Sequence, residues 1–213
     1  MAEVVREIPG PLGPLECLIE KPVGPPRAVV VFAHPLPTEG GTMHTKVVFQ
    51  GAKALARVGC VVLRFNFRGV GRSPGAWDKG VGELSDFRAA VDYMAEHYPG
   101  LDIWAAGFSF GSYVAMTAGA DDDRVCALIG IAPPVDRYEF ATVKQSTKPK
   151  FIVHGEEDEL ISLKLVRQFY ATLPEPKEFV QVEGANHLFD GQASEVGDAL
   201  EGLLSDFSCR TLS

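Results

Sequence analysis

One stretch limits what this chain can fold into more than any other: Ile103-Trp104-Ala105-Ala106-Gly107-Phe108-Ser109-Phe110-Gly111-Ser112-Tyr113. The apolar run Ile103 to Ala106 reads as a buried strand, and a helix-compatible run, Ser112 to Ala118, follows the Gly-x-Ser-x-Gly at once. A serine on so sharp a strand-to-helix turn has strained backbone angles and crowded surroundings. Glycines at 107 and 111 remove the side chains that would collide with the neighbouring strand and helix. This is the sequence form of a nucleophile elbow, which lifts the Ser109 hydroxyl above the sheet edge. The N–H of Phe110, at a helix N-terminus, then points where an oxyanion would form.

The pattern by itself is a weak signal, because Gly71-Arg72-Ser73-Pro74-Gly75 also matches it. The residue after a nucleophile must donate a backbone N–H, and Pro74 has none. No helix-length apolar stripe follows Gly75. Ser73 therefore reads as part of a turn, and Ser109 as the nucleophile.

On either side of the elbow, strands and helices alternate. Strands are expected over Val4–Ile8, Leu15–Glu20, Ala28–Ala33, Cys60–Phe65, Ile103–Ala106, Val125–Ile131, Lys150–His154 and Glu178–Val182. The continuous β-branched run at 28–33 marks a strand covered on both faces. Helices are expected over Val47–Val58, stopped by Gly59; around Leu84, Phe87, Val91 and Met94, closed by Pro99-Gly100; around Leu163 to Leu173; and around Val196 to Phe207, with Ser194 as N-cap. The tail 210–213 is expected to fray. The alternation implies an α/β domain spanning 1–213, with a mainly parallel central sheet and helices on both faces. Catalytic loops in such sheets gather at the carboxyl ends of the strands.

Four strand ends carry suitable chemistry. They are His34-Pro35-Leu36-Pro37-Thr38-Glu39-Gly40-Gly41, Ser109 itself, His154-Gly155-Glu156-Glu157-Asp158, and Glu183-Gly184-Ala185-Asn186-His187. The order of nucleophile, acid and histidine is that of the α/β-hydrolases, unlike the chymotrypsin or subtilisin orders. The chain resembles a small, lid-poor α/β-hydrolase of the bacterial group with His-Pro-x-Pro and Gly-Gly-x-Met after the third strand, here His34-Pro35-Leu36-Pro37 and Gly40-Gly41-Thr42-Met43. Phe65-Asn66-Phe67-Arg68-Gly69-Val70-Gly71-Arg72-Ser73 is similar to that group's loop after the fourth strand. The likeness covers roughly residues 15–207.

The resemblance implies an α/β-hydrolase fold with a minimal lid and assigns roles residue by residue. His187, in Gly-x-x-His, would take the serine proton as general base. The acid must come from Glu156, Glu157, Asp158 and Glu159, and the pattern Gly-x-x-Asp selects Asp158, which would hold the imidazole tautomer. The oxyanion donors would be the backbone N–H groups of Leu36 and Phe110. Relatives often carry histidine where Leu36 stands, so only a backbone role survives there. Among the other histidines, His34 is expected to brace the oxyanion loop, His154 to stand near Asp158, His97 to be solvated, and His44 to lie in a loop or first helical turn, at the pocket.

The remaining features exclude more than they assign. A net charge of −8 disfavours nucleic acid and anionic membranes as partners. No apolar run approaches membrane-spanning length, and the N-terminus has no apolar signal core, so a cytoplasmic protein is expected. Cys17, Cys60, Cys126 and Cys209 lack CxxC spacing and read as free thiols. Asp121-Asp122-Asp123 reads as a solvated loop. No spacing suggests a metal, and Gly69-x-Gly71 lacks the third glycine of a dinucleotide fingerprint, so neither a metal nor a cofactor is expected. The expected partner is a small-molecule ester, with the alternatives of a thioesterase, amidase or peptidase, or a non-catalytic binding protein on this fold. Residues 132–149 leave room for one short helix, too little for a multi-helix lid. Tyr138 and Phe140 would supply at most one apolar wall, or pack in the core.

Overall fold

The computed structural model describes residues 6–209. Eight strands form one sheet: β1 (Glu7–Ile8), β2 (Leu15–Glu20), β3 (Ala28–Ala33), β4 (Cys60–Phe65), β5 (Asp102–Phe108), β6 (Val125–Ile131), β7 (Lys150–Gly155) and β8 (Lys177–Val182). Their order is β1-β2-β4-β3-β5-β6-β7-β8. Strands β1, β2 and β4 pair antiparallel, and every pairing from β4 through β8 is parallel. This is the α/β-hydrolase fold.

The helices are α1 (Lys46–Arg57), α2 (Val81–His97), α3 (Phe110–Asp121), α4 (Ala141–Gln145), α5 (Leu163–Thr172) and α6 (Ala193–Leu204). Alternate residues of the β-branched strands feed two cores. Val29 and Val31 face one way, with Phe87 and Met94 of α2 and Val114 of α3. Val30 and Phe32 face the other way, with Val48 and Leu55 of α1 and Leu200 of α6. Each such side chain contributes roughly 1.5–3 kcal/mol when buried. That is why these strands read as unbroken apolar runs and not as alternating ones.

Several boundaries differ from expectation. The first strand begins at Glu7, and residues 1–5, like 210–213, lie outside the described part. Helix α2 starts earlier than its apolar spacing suggests, because the buried Glu83 carboxylate accepts the N–H groups of Asp78 and Gly80 and closes the first turn. Ser194 is not the cap of α6. Gln192 is, since its carbonyl already accepts the Glu195 N–H and its side chain reaches Glu195 and the Glu183 carbonyl.

The cysteine expectation is corrected in part. Cys17 and Cys60 are free and buried, but Cys126 and Cys209 form a disulfide. Their separation of 83 residues hid the pairing. After α6 the chain doubles back beneath the sheet, where Phe207 packs on Trp104 and Phe151. There Arg27 donates to the carbonyls of Leu204, Ser205 and Phe207. That return brings Cys209 to the half-buried Cys126 at the start of β6.

Between β6 and β7 the only helix is the five-residue α4, so the sheet's carboxyl edge is not roofed by a helical insertion. No helix among the described residues is long and apolar enough to cross a membrane.

Candidate active site

Strand β5 delivers Ser109 into a turn at φ 51° and ψ −123°, a left-handed conformation that costs a non-glycine residue about 1–3 kcal/mol. Neighbouring packing enforces it. A Cβ on Gly107 would lie 2.1 Å from the Gly111 carbonyl oxygen, and one on Gly111 would lie 2.4 Å from the carbonyl oxygens of Ala33 and His34. The Ser109 N–H donates to Ile131 O at 2.8 Å, and its carbonyl accepts the N–H and hydroxyl of Ser112 at 2.8 and 2.6 Å. The serine is thereby tied to β6 and to the first turn of α3.

The three residues singled out at the ends of β5, β7 and β8 meet here. His187 Nε2 lies 2.9 Å from Ser109 Oγ, and His187 Nδ1 lies 2.8 Å from Asp158 Oδ2. Ionised Asp158 accepts only, so Nδ1 carries the proton and Nε2 is free to accept from the serine hydroxyl. Asp158 Oδ1 accepts the N–H groups of Leu160 and Ile161 at 2.9 and 2.7 Å. Burial pushes the Asp158 carboxyl up, but the bond from His187 and the Ile161 N–H outweigh it and hold the group below the usual carboxylate range.

Of the four acidic residues after β7, Asp158 alone reaches the imidazole ring. Glu159, another of the four, accepts the backbone N–H of His187 at 3.1 Å and so holds the histidine loop. Glu156 does likewise for Gly184. Nothing in the local pattern signals these bonds, because they join loops 28 residues apart.

The loop after β3 faces the serine from the other side. Its peptide between Pro35 and Leu36 is pinned by His34. His34 Nε2 accepts the Phe67 N–H at 3.1 Å, so Nδ1 is the donor, bonded to Pro35 O at 2.7 Å. In a trans peptide the C=O and N–H point oppositely, so fixing Pro35 O also aims the Leu36 N–H. The Leu36 carbonyl accepts Glu39 N–H and Gly41 N–H at 3.1 and 3.0 Å. Burial pushes the His34 pKa down to about 4, against the opposing bond to Pro35, so the ring is neutral. The N–H of Phe110, first residue of α3, has no carbonyl one turn back in its helix. Its ring is wedged among Phe67, Trp77 and Tyr138.

Other singled-out residues fall elsewhere. Ser73 is buried and spent on structure: its hydroxyl donates to Asn66 O at 2.8 Å and accepts Glu16 N–H at 2.9 Å. His154 Nε2 donates to Ile161 O at 2.9 Å, 3.7 Å from Asp158, and burial lowers its pKa. His97 is exposed and stacks on Tyr93. His44 is exposed in the turn before α1 and does not line the pocket. Phe140 is buried in the core, whereas Tyr138 lines the pocket.

Two supports escaped sequence reading. Asn66 accepts the Met43 N–H, and Arg68 forks onto the buried Asp86 at 3.0 and 2.8 Å. Among the described residues the one grouping with metal-ligand character is Asp102, Cys126 and Cys209, and its sulfurs are joined to each other.

The resulting cavity, about 580 Å³, has apolar walls from Pro35, Leu36, Phe110, Pro134, Tyr138 and Leu160. Arg137, Glu39 and Glu159 stand around it. Ser109 and His187 line it together with Leu36 and Phe110.

Comparison with known proteins places the chain among serine hydrolases of this fold. The family described as serine aminopeptidase, S33, matches residues 24–140. An alpha-beta serine hydrolase homologue from Coxiella burnetii superposes with a TM-score of 0.90 at 41% identity, covering 96% of this chain and 98% of that one. XC6422 from Xanthomonas campestris, described as an a/b serine hydrolase without lid, gives 0.87 at 35% identity, covering 95% and 94%. An uncharacterized protein of Rickettsia prowazekii is 32% identical over 204 residues, 92% of this chain and 86% of its own length.

Proposed function

The chain belongs to the serine aminopeptidase, S33, family of serine hydrolases, and on that premise we propose that it cleaves carboxylic esters through an acyl-enzyme on Ser109. The observation that carries the reading is the relay from Ser109 Oγ to His187 at 2.9 Å and on to Asp158 at 2.8 Å. Ser109 stands on a strained elbow, and the peptide that carries the Leu36 N–H is pinned by His34.

The chemistry follows from the tautomer. His187 Nε2 takes the Ser109 proton as Oγ attacks the substrate carbonyl carbon, and Asp158 stabilises the imidazolium. The oxygen that gains charge is met by the N–H groups of Phe110 and Leu36, each worth about 10²–10³ in turnover. The protonated His187 gives its proton to the departing alcohol. It then activates a water, which releases the acid and restores Ser109.

Neither a cofactor nor a metal is needed for these steps. The apolar walls of the cavity favour a short-to-medium acyl group, and the absence of a helical roof offers no cover for a long one. The family's description keeps an amide or peptide substrate as the second reading, since the same residues cleave both bonds.

A fluorophosphonate probe, followed by a panel of chromogenic esters and amino-acid anilides, tests the proposal. Labelling of the wild type but not of Ser109→Ala, with turnover on the esters, is expected. Folded wild type that takes no label would favour a binding protein on this fold. Turnover of the anilides alone would favour the peptidase reading.

A further inference from the structure

A second cavity, about 330 Å³, lies beside the first. One wall is apolar, from Val135, Phe140, Leu165 and Phe169, and the rest is polar, with Lys144 and Gln168 at its rim. Tyr138 lines both cavities. Residues 133–140 form the partition: Pro134 and Arg137 face the catalytic cavity, while Val135, Glu139 and Phe140 face the second. A tight turn in which the N–H groups of Arg137 and Tyr138 both reach Pro134 O places the tyrosine ring across the gap.

Ring contacts trace the way from one space to the other. Phe110, beside the nucleophile, lies 5.6 Å from Tyr138. Tyr138 stacks on Tyr113 at 4.5 Å, Tyr113 meets Phe140 edge-on at 5.7 Å, and Phe140 lies 4.9 Å from Phe169. Each ring belongs to the core or to the elbow helix except Tyr138. It is only half-buried and sits on an irregular segment. Removing it therefore takes away the wall without removing an element of the fold.

We propose that Tyr138 sets the length of the acyl group this protein accepts, by closing the catalytic cavity against a second cavity, apolar along one wall, that would otherwise prolong it. The inference rests on the ester-hydrolase reading above. In the wild type an acyl chain that reaches Tyr138 gains nothing from further methylenes. Without the ring, the chain runs on between Val135, Phe140 and Phe169. Each methylene newly covered there is worth about 0.8 kcal/mol, or roughly fourfold in kcat/KM.

The test reads the ratio of kcat/KM for p-nitrophenyl octanoate over butyrate within each variant, so that the fraction of folded enzyme cancels. Tyr138→Ala is expected to raise this ratio by roughly tenfold to a hundredfold. Adding Leu165→Trp, which fills the second cavity from its exposed rim, is expected to return the ratio toward wild type. Should Tyr138→Ala fail to fold, judged by loss of fluorophosphonate labelling, Tyr138→Leu carries the same expectation with a smaller rise. A wild type that turns over esters, with a ratio unmoved by shortening Tyr138, overturns this inference alone. A wild type inert to every ester overturns the ester reading, and this inference with it. A ratio that rises in Tyr138→Ala but ignores Leu165→Trp shows that the chain does not enter the second cavity, and overturns the inference too.

Discussion

Replacing His34 by glutamine is expected to flatten the acid side of the protein's stability curve. His34 is wholly buried and neutral, with Nδ1–H on Pro35 O and Nε2 accepting from Phe67 N–H. Its pKa is pushed down to about 4 from an ordinary 6.5, chiefly by burial. The unfolded chain therefore binds the proton first as the pH falls. The stability His34 lends is complete above pH about 6.5 and drains away as the pH drops through about 4. At about 1.4 kcal/mol per tenfold difference in proton affinity, the loss is about 2 kcal/mol at pH 5 and about 3 kcal/mol by pH 4. Glutamine does not titrate. Its carbonyl can still accept from Phe67, but the donor to Pro35 is compromised, so the variant starts out less stable at neutral pH. Urea unfolding of both proteins from pH 7.5 to pH 4 supplies the measurement. Asp158 and His154 titrate in both, and their contributions cancel in the difference. The wild type's advantage should shrink by about 2 kcal/mol on going to pH 5. An advantage that stays constant across the range would refute a neutral, desolvated His34. Turnover at neutral pH should also fall in the variant, by up to about 10²-fold, because the Pro35–Leu36 peptide loses its anchor.

Ser109→Ala should abolish ester hydrolysis, whereas Ser73→Ala should keep most of it while lowering the melting temperature, since the Ser73 hydroxyl is engaged by Asn66 O and Glu16 N; comparable loss of turnover from both, with folded protein, would contradict this. Asp158→Asn should leave the fold in place and reduce kcat by roughly 10⁴, the size of loss known when a triad histidine is held in the wrong tautomer; a drop under tenfold in steady-state kinetics would remove Asp158 from the mechanism. Gly111→Ala should impair folding, because the new Cβ would lie 2.4 Å from two backbone carbonyl oxygens that cannot yield cheaply; a melting temperature within a degree or two of wild type would show the elbow to be less tightly packed. On esters from acetate to palmitate, the specificity constant should peak at short-to-medium length with no jump at the solubility limit, as expected of a pocket walled by Tyr138 with only the five-residue α4 inserted between β6 and β7; a constant still climbing at palmitate would disprove it.

By itself the sequence determined the local terms of this protein. Unbroken β-branched runs can bury only between two helical layers, so Ala28–Ala33, Cys60–Phe65 and Val125–Ile131 were readable as strands to the residue. The elbow was readable because Gly107, Ser109 and Gly111 answer a steric demand within five residues, and Pro74 ruled out its double for an equally local reason. The family pattern also pointed to Asp158 and His187 among their neighbours. What tertiary structure decided was every relation between distant segments. It alone shows that Glu159 holds the His187 backbone, that His34 aims the Leu36 N–H through one peptide plane, and that Cys126 meets Cys209 across 83 residues. Tyr138 reads in the sequence as a wall or as core, and only the fold puts cavities on both sides of it. The physical reason is the same in each case. Backbone conformation answers to neighbours a few residues away, whereas a hydrogen bond, a disulfide or a cavity wall needs two segments whose approach is set by the packing of the whole sheet.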